Sequence, residues 1–218
     1  MFLIVAGGDP PGGNLLAGLA GKAGKVIAAD KGAAYCLEAG VIPHLVVGDF
    51  DSLPPDIQHE LRDLGVSIRQ FGIEKDYTDT QLALEEAISE GARDVEIIGA
   101  MGGRFDHELA NLHLLKKAQD AGVNARITTD SQEIFLIRSH HVIRERQGFT
   151  ASFLPLTGRV EGITLMGFAY ELQGAVMEIG NPYGTSNVVR SREARVSVGG
   201  GVLVAVLTAS GPDPATGG

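Results

Sequence analysis

Five aspartates of this 218-residue chain stand where the chain leaves short apolar stretches: Asp30, Asp49, Asp51, Asp76 and Asp79. Asp49 and Asp51, in GDFDS, are two positions apart, so in an extended segment they point the same way with Cα atoms roughly 6–7 Å apart. Like charges this close need a cation beside them. Carboxylate oxygens suit Mg²⁺, which commonly takes one or two carboxylates together with substrate phosphates. These acids therefore predict a magnesium–phosphate site.

A glycine pair followed by an arginine suits the phosphate itself. In AMGGRFDHELANLH, Gly102 and Gly103 let the backbone approach a ligand closely. Arg104 and the N-terminus of the following helix favour an anion. Two structural interpretations stay open here, because Asp106 is also suited to be a plain helix N-cap and His107 to be a surface residue.

The segment DYTDTQLALEEAIS predicts a helix that begins near Thr78. Thr78 followed by Gln81 matches a capping box. Asp79 then lies in the first turn, where the helix dipole favours a carboxylate without any catalytic role. Both interpretations of Asp79, as a site residue and as an ordinary first-turn acid, remain open at this point.

The elements that must position these residues form two regions. Over the first 139 or so residues, short apolar runs alternate with stretches of helical spacing; the runs are 2–6, 25–29, 44–47, 66–71, 95–99 and 125–129, with 133–138 a candidate seventh. The clearest helix carries Leu109, Leu112, Leu115 and Ala118 on one stripe. Repeated strand–helix units predict an α/β domain with a mainly parallel, Rossmann-like sheet. Ligands bind beyond the carboxyl ends of such strands, which is where the aspartates fall.

Residues 140–210 have a different pattern, with short β-rich runs separated by glycine-containing turns. This pattern predicts a small all-β domain, a sandwich or barrel, with the boundary near residue 140. Residues 211–218 lack apolar content and are expected to form a disordered tail.

Composition and missing motifs exclude several classes of function. A formal net charge of −9 argues against binding to nucleic acid or to an anionic membrane surface. No run of about 18 apolar residues predicts a transmembrane helix. A single cysteine, Cys36, excludes an intrachain disulfide and favours a reducing cytoplasm. Neither a Walker P-loop, an NAD-type glycine fingerprint, a zinc-type Cys/His cluster nor a serine-hydrolase elbow is present.

The motifs AADKGA, GDFDSL, EKDYTDTQLAL and GGRFDHELANL, in this order, resemble the thiamine pyrophosphokinase family. The later stretches GITLMGFAYEL, GTSNVV and VSVGGGVLVAVL resemble that family's second domain. The resemblance implies an α/β catalytic domain, a C-terminal β-sandwich and a homodimer. It also implies Mg²⁺-dependent transfer of pyrophosphate from ATP to the hydroxyl of thiamine.

The resemblance assigns expected roles to individual residues. Asp49, Asp51 and Asp79 correspond to the acids that handle Mg²⁺ and phosphate, and Asp30 and Asp76 to supporting acids. Arg104, with Gly102, Gly103 and Asp106, falls near the nucleotide; Gln81 is expected to contact substrate, and Ser186 and Asn187 to form the thiamine site across the dimer interface. Two departures concern the thiamine end, where Val188 and Met166 replace an acid and a lysine that are common in the family.

Three functions compete on this sequence. The first is pyrophosphoryl transfer to thiamine, with Asp76 or Asp79 as the acceptor of the hydroxyl proton. The second is a Mg²⁺-dependent nucleotide phosphohydrolase that uses the same acids, with water in place of thiamine. The third is a nucleotide or thiamine sensor without turnover. The full set of acids argues against the sensor, because binding alone does not need so much negative charge beside ATP.

Overall fold

The chain divides into two compact units, Met1–Asp130 and Ser131–Gly218. A computed structural model describes residues 1–50, 53–72, 77–181 and 183–210. Asp51, Asp76 and the predicted tail 211–218 lie outside these ranges. Of the five aspartates that the sequence singles out, the structure therefore places Asp30, Asp49 and Asp79.

The first unit alternates strands and helices. Its strands are β1 (Phe2–Val5), β2 (Lys25–Ala29), β3 (Leu45–Gly48), β4 (Ser67–Gln70), β5 (Asp94–Ile98) and β6 (Asn124–Thr128). Its helices are α1 (Gly13–Ala20), α2 (Gly32–Glu38), α3 (Pro55–Asp63), α4 (Asp79–Ser89) and α5 (Phe105–Asp120). Each of the six predicted runs overlaps one of these strands to within one residue at each end, and the run at 25–29 coincides with β2.

All pairings among these six strands are parallel, in the order β6-β5-β1-β2-β3-β4. The chain runs outward from β1 to β4 and then returns to β5 on the other side of β1. A topological switch point therefore lies between β1 and β5, where open α/β sheets bind ligands. The prediction of an α/β domain with a mainly parallel sheet is confirmed for this unit.

Helices cover both faces of the parallel sheet. Leu16 of α1, Cys36 of α2 and Leu61 of α3 are buried in one cluster with residues of β1, β2, β3 and β5. Alternate residues of the same strands, such as Ile4 and Ile27, are also fully buried. Successive side chains of a strand point to opposite faces, so these residues need a second layer. The helix α4, which contacts β1, β2 and β3, supplies that layer and packs against α5.

The buried stripe of α5 agrees with the predicted one in its second half only. Leu115 and Ala118 are buried as predicted, whereas Leu109 is 40% exposed and Leu112 is only partly buried. In the first half of the helix the buried position belongs to Asn111, which donates a hydrogen bond of 2.7 Å to the backbone carbonyl of Ala100.

The second unit is all β. Its strands are β7 (Gln132–Ile137), β8 (His140–Arg144), β9 (Thr150–Pro155), β10 (Arg159–Met166), β11 (Leu172–Glu178), β12 (Asn187–Val188), β13 (Glu193–Ser197) and β14 (Leu203–Thr208). Its strands pair antiparallel in two sets, in the orders β12-β9-β14-β7 and β11-β10-β13-β8, and the second set is a four-stranded sheet. One core joins the two sets of strands, with Phe153 edge-on to Phe168 at 5.4 Å between ring centroids. The C-terminal β domain expected from the sequence is therefore present.

The compact units divide between Asp130 and Ser131, while the domain boundary near residue 140 stays a prediction. The candidate seventh run, 133–138, is β7, which pairs antiparallel with β14 along its whole length. It belongs to the β unit because its hydrogen-bonding partner comes from the end of the chain. The pairing partner of a strand cannot be read from a short apolar run. The sequence pattern therefore groups 133–138 with the strands that precede it. Within the described ranges, no helix is both long and apolar enough to cross a bilayer.

Candidate active site

A cleft of about 590 Å³ opens at the carboxyl ends of the parallel strands. It is lined by residues that follow β1, β2, β3 and β5 and by the first turns of α4 and α5. Four loops converge there because parallel strands all end on the same edge of the sheet. The cleft thus lies at the switch point between β1 and β5, as the topology predicts.

Three of the predicted aspartates line this cleft. Asp30 directly follows β2, Asp49 directly follows β3, and Asp79 is the first residue of α4. All three are partly buried. Asp30 has a φ of 44°, in the left-handed region that is uncommon for a residue other than glycine. Its backbone N–H donates a 2.8 Å hydrogen bond to the carbonyl of Val47, which ties the end of β2 to β3.

Phe50, which follows Asp49, is not extended. It has a φ of 65° and its side chain is buried. Asp51 lies outside the described residues, so the expectation that the two carboxylates point the same way stays a prediction. A buried aromatic ring holds the left-handed turn, and that burial could not be read from GDFDS. Strained backbone of this kind is common at ligand sites.

The first turn of α4 brings Thr78, Asp79 and Thr80 to the cleft. Thr78 is the N-cap, and its side chain accepts a hydrogen bond of 3.2 Å from the backbone N–H of Gln81. The helix starts as predicted, but the Gln81 side chain does not bond back to the cap. It donates to Glu85 at 2.9 Å along the same helix. Gln81 is accordingly not among the described residues that line the cleft.

The loop between β5 and α5 forms the opposite wall. Gly102 and Gly103 line the cleft and have φ values of 98° and 87°, a region that favours glycine. A Cβ added to Gly102 would lie 2.0 Å from the carboxyl carbon of Asp9. A side chain at residue 102 would therefore displace the Asp9 carboxyl group and would also be strained by the positive φ.

Arg104 lines the cleft and Asp106 does not. Arg104 occupies the N-cap position of α5, which leaves Asp106 in the first turn rather than at the cap. The guanidinium donates to the Asp106 carboxylate at 2.6 Å, and both groups are exposed. This hydrogen bond lowers the pKa of Asp106 and raises that of Arg104. Asp106 therefore orients the arginine at the mouth of the cleft.

Several cleft residues were missed by the sequence reasoning. Asp9, in GGDPPGG, lines the cleft and follows the carboxyl end of β1, as the other acids follow the ends of their strands. Glu108 and Asn111 line the cleft from one face of α5, three residues apart. A spacing of three residues puts both side chains on one face of a helix, so the sequence could have indicated that they lie together. His107 also lines the cleft, although it is exposed.

The donor chemistry of the cleft suits a hard divalent cation. The acids that line the cleft are Asp9, Asp30, Asp49, Asp79 and Glu108, and oxygen ligands are those that Mg²⁺ prefers. Among the described residues, no group of three acids, histidines or cysteines is close enough to hold a metal by itself. Mg²⁺ usually keeps several waters and takes substrate phosphates as ligands, so a ready-made protein cage is not required.

Ser186 and Asn187 lie in the second unit. Ser186 is exposed with a φ of 60°, and its backbone N–H donates to the Ser152 hydroxyl at 3.1 Å. Asn187 is buried. Its amide accepts from the Tyr170 N–H at 3.0 Å and donates to the Tyr170 carbonyl at 2.6 Å. The Asn187 side chain thus fixes the backbone of Tyr170, whose ring is 72% exposed.

Comparison with known proteins identifies both units. The model of the thiamin pyrophosphokinase catalytic domain matches residues 16–127, and that of the thiamin pyrophosphokinase vitamin B1 binding domain matches residues 139–203. The thiamine pyrophosphokinase of Bacillus subtilis (strain 168) is 30% identical over 208 residues, which is 93% of this chain and 96% of that protein.

Solved structures agree with the sequence relatives. The crystal structure of thiamine pyrophosphokinase from Bacillus subtilis has a TM-score of 0.86 at 28% identity and covers 96% of this chain and 99% of that one. A thiamin pyrophosphokinase family protein from Enterococcus faecalis has a TM-score of 0.84 at 30% identity, with the same coverage. The chain belongs to the thiamine pyrophosphokinase family.

Proposed function

We propose that this protein transfers the pyrophosphoryl group of ATP to the hydroxyl of thiamine, giving thiamine diphosphate and AMP. The observation that carries this proposal is the joint match of the two units to the catalytic and vitamin B1 binding models of one family. The acid-lined cleft at the sheet switch point supplies the chemistry that such a transfer needs.

The nucleotide phosphates would lie between the two walls of the cleft. Gly103 and the start of α5 would present backbone N–H groups and the positive end of a helix dipole on one side. Arg104 adds a planar cation at the mouth, suited to bidentate binding of a phosphate. The opposite side carries Asp30, Asp49 and Asp79, which repel a bare triphosphate and therefore require a cation between them and it.

Mg²⁺ fits this position by its ligand chemistry. Asp49 and Asp79, with Asp51 outside the described residues, would hold it, and Asp30 with Asp76 would support them. When bound, Mg²⁺ neutralises the triphosphate and makes the β-phosphorus easier to attack. The carboxylates would hold the metal in place, and the glycine wall and Arg104 would align the triphosphate for in-line displacement.

The transfer forms one bond to phosphorus, breaks another and releases the proton of the thiamine hydroxyl. The hydroxyl oxygen of thiamine forms a bond to the β-phosphorus, and the bond from that phosphorus to the oxygen bridging the α- and β-phosphorus breaks, releasing AMP. The hydroxyl proton goes to a carboxylate and then to solvent. Asp79, at the cleft, and Asp76 are both candidates for this base, and metal ligation competes for the same oxygens.

Thiamine would be held by the β unit. Ser186 is exposed beside the buried Asn187, which fixes the backbone of the exposed Tyr170. In the proposed assembly, a homodimer, these residues serve the catalytic cleft of the partner chain. Complementation between a variant of the β unit and a variant of the cleft tests this arrangement.

One assay separates the proposed function from its rivals. AMP release from ATP and Mg²⁺ is measured by chromatography, with and without thiamine, and thiamine diphosphate is quantified in the same samples. Pyrophosphoryl transfer gives equal amounts of AMP and thiamine diphosphate, and only when thiamine is present. Nucleotide breakdown without thiamine would identify a phosphohydrolase, and no turnover in either sample would identify a sensor.

A further inference from the structure

The wall of the cleft between β5 and α5 has a conformation that needs support. Gly99, Gly102 and Gly103 all have positive φ values, of 64°, 98° and 87°. Glycine loses more conformational entropy than other residues when it is ordered. Three such positions within five residues would leave the loop variable in shape unless specific bonds fixed it.

Two kinds of hydrogen bond fix this loop. The β1 loop holds it through the backbone, with the N–H of Gly8 bonded to the carbonyl of Gly99 at 2.7 Å and the N–H of Asp9 to that of Met101 at 2.8 Å. The helix α5 holds it through side chains. Asn111 donates to the carbonyl of Ala100, and the carboxylate of Glu108 accepts from the N–H of Gly102 at 2.7 Å.

The Glu108 contact is the one that controls the glycine pair. It is a charge-assisted hydrogen bond, partly buried, and such bonds contribute about twice as much as neutral ones. It fixes the peptide plane between Met101 and Gly102, and the carbonyl of Gly102 in turn accepts from the N–H of Arg104 at 3.2 Å. The directions of Gly103 and Arg104, which face the cleft, therefore depend on Glu108.

We infer that Glu108 is a positioning residue: its carboxylate orients the Gly102–Gly103–Arg104 backbone so that this wall can receive the phosphates of the nucleotide. The inference rests on the proposed function for the identity of the anion. Glu108 itself repels phosphate, so its contribution acts through the N–H that it holds. Its place in the first turn of α5 makes the negative charge tolerable, because the helix dipole favours an acid there.

Four variants test this role. Glu108→Ala removes the acceptor, and Glu108→Gln keeps an acceptor oxygen at the same reach without the charge. Glu108→Asp keeps the charge, but the side chain is one methylene shorter, which moves the carboxylate away from the Gly102 N–H. The control is Asp120→Asn, which changes an exposed acid at the other end of α5 that pairs with Lys116.

The measurements are the KM values for ATP and thiamine, and the affinity for ATP–Mg²⁺ by calorimetry without thiamine. Glu108→Ala and Glu108→Asp should each weaken ATP binding and raise the KM for ATP about tenfold, with the KM for thiamine changed less than about twofold. Glu108→Gln should recover ATP binding to within about threefold of the wild type, and Asp120→Asn should match the wild type.

The outcomes separate this inference from a structural role and from the proposed function. Equal loss for both substrates, no loss in Glu108→Ala, or a Glu108→Gln variant as weak as Glu108→Asp would each overturn it. If Glu108→Ala does not fold, the order of Glu108→Gln and Glu108→Asp still decides. A wild-type protein that binds ATP without making thiamine diphosphate would overturn the proposed function, while the calorimetric comparison would still test Glu108.

Discussion

The phenolic hydroxyl of Tyr35 donates a hydrogen bond of 2.8 Å to the backbone carbonyl of Gly8. This bond joins the helix α2 to the loop after β1, which lines the cleft. The Tyr35 ring is buried in the core cluster beneath that loop. One side chain thus belongs both to the hydrophobic core and to the support of the site. The shape of the loop after β1 therefore depends on the packing of α2.

Removing this hydroxyl should loosen the loop without opening a cavity. Tyr35→Phe is expected to lower the free energy of unfolding by about 1–2 kcal/mol, because the Gly8 carbonyl loses a buried donor. Urea unfolding followed by circular dichroism measures the change. Tyr170→Phe is the matched control, because that ring is 72% exposed and the expected change is below about 0.5 kcal/mol. Equal changes in the two variants would show that the Tyr35 bond contributes nothing.

Gly32 allows α2 to approach β1 closely. A Cβ at this position would lie 2.0 Å from the carbonyl oxygen of Val5, a backbone atom of a buried strand. Gly32→Ala is therefore expected to destabilise the protein by about 3 kcal/mol, since the helix or the strand must move.

Gly18→Ala is the control for this steric argument. Gly18 is inside α1 and an added Cβ meets no atom within 4 Å. Alanine should stabilise the helix there by up to about 1 kcal/mol. Thermal unfolding of both variants checks the contrast, and a Gly32→Ala protein as stable as Gly18→Ala would contradict the close approach.

How far the sequence predicts the site depends on the range of the interactions. The strand-end rule places Asp30, Asp49, Asp79 and Arg104 at one edge of the sheet, and all four line the cleft. That rule needs only the order of strands and helices, which hydrophobic periodicity supplies. Local spacing was therefore enough to bring these residues together.

The features that were missed depend on tertiary contacts. Asn111 is buried because the Ala100 carbonyl needs a donor, and no periodicity indicates this. Phe50 takes a left-handed conformation although it is not glycine, because its ring is buried. The strand β7 pairs with β14, about 70 residues later in the chain, so its own residues could not assign it to a unit.

Asp49 is expected to be essential for turnover and unimportant for folding. Asp49→Asn keeps the size of the side chain but removes the charge that the proposed Mg²⁺ site needs, so kcat should fall by about 100-fold or more. The melting temperature should be unchanged or slightly raised, since a repelling charge is lost. Activity is measured over a Mg²⁺ titration beside Asp63→Asn, an exposed acid at the end of α3. Wild-type activity of Asp49→Asn at saturating Mg²⁺ would refute its role as a ligand.

Cys36 is expected to be inert in the folded protein. It is fully buried, and burial raises the pKa of its thiol to about 12. At pH 8 the thiolate fraction is then on the order of 10⁻⁴, and iodoacetamide cannot reach the sulfur. Mass spectrometry should find no alkylation of the native protein and complete alkylation in urea. Rapid labelling without urea would mean that α2 opens readily.

The same pKa shift gives the sign of a pH effect on stability. In the unfolded chain the thiol titrates near its ordinary value of about 8.5, whereas in the folded chain it keeps its proton up to about 12. Between these values the unfolded state binds fewer protons, so the free energy of unfolding falls as pH rises, by up to about 1.4 kcal/mol per pH unit. Denaturant unfolding at pH 8, 9 and 10 should show this decline in the wild type and a smaller one in Cys36→Ala.

The proposed homodimer makes a prediction about complementation. If Ser186 and Asn187 of one chain serve the cleft of its partner, a Ser186→Ala, Asn187→Ala double variant and Asp49→Asn fail on different halves of a composite site. Each should be nearly inactive alone. Asn187 is buried and hydrogen-bonded to Tyr170, so circular dichroism must first show that the double variant is folded.

Co-expression of the two variants should then restore activity. At equal amounts and random pairing, half of the dimers are mixed, and each mixed dimer carries one site with both defects and one with neither. By two-fold symmetry, about a quarter of the wild-type activity should return. Tagged chains purified in two steps isolate the mixed dimer, which should have about half of the wild-type activity per dimer. If the purified mixed dimer is as inactive as its parents, each chain builds its own site, and the β unit does not serve the partner's cleft.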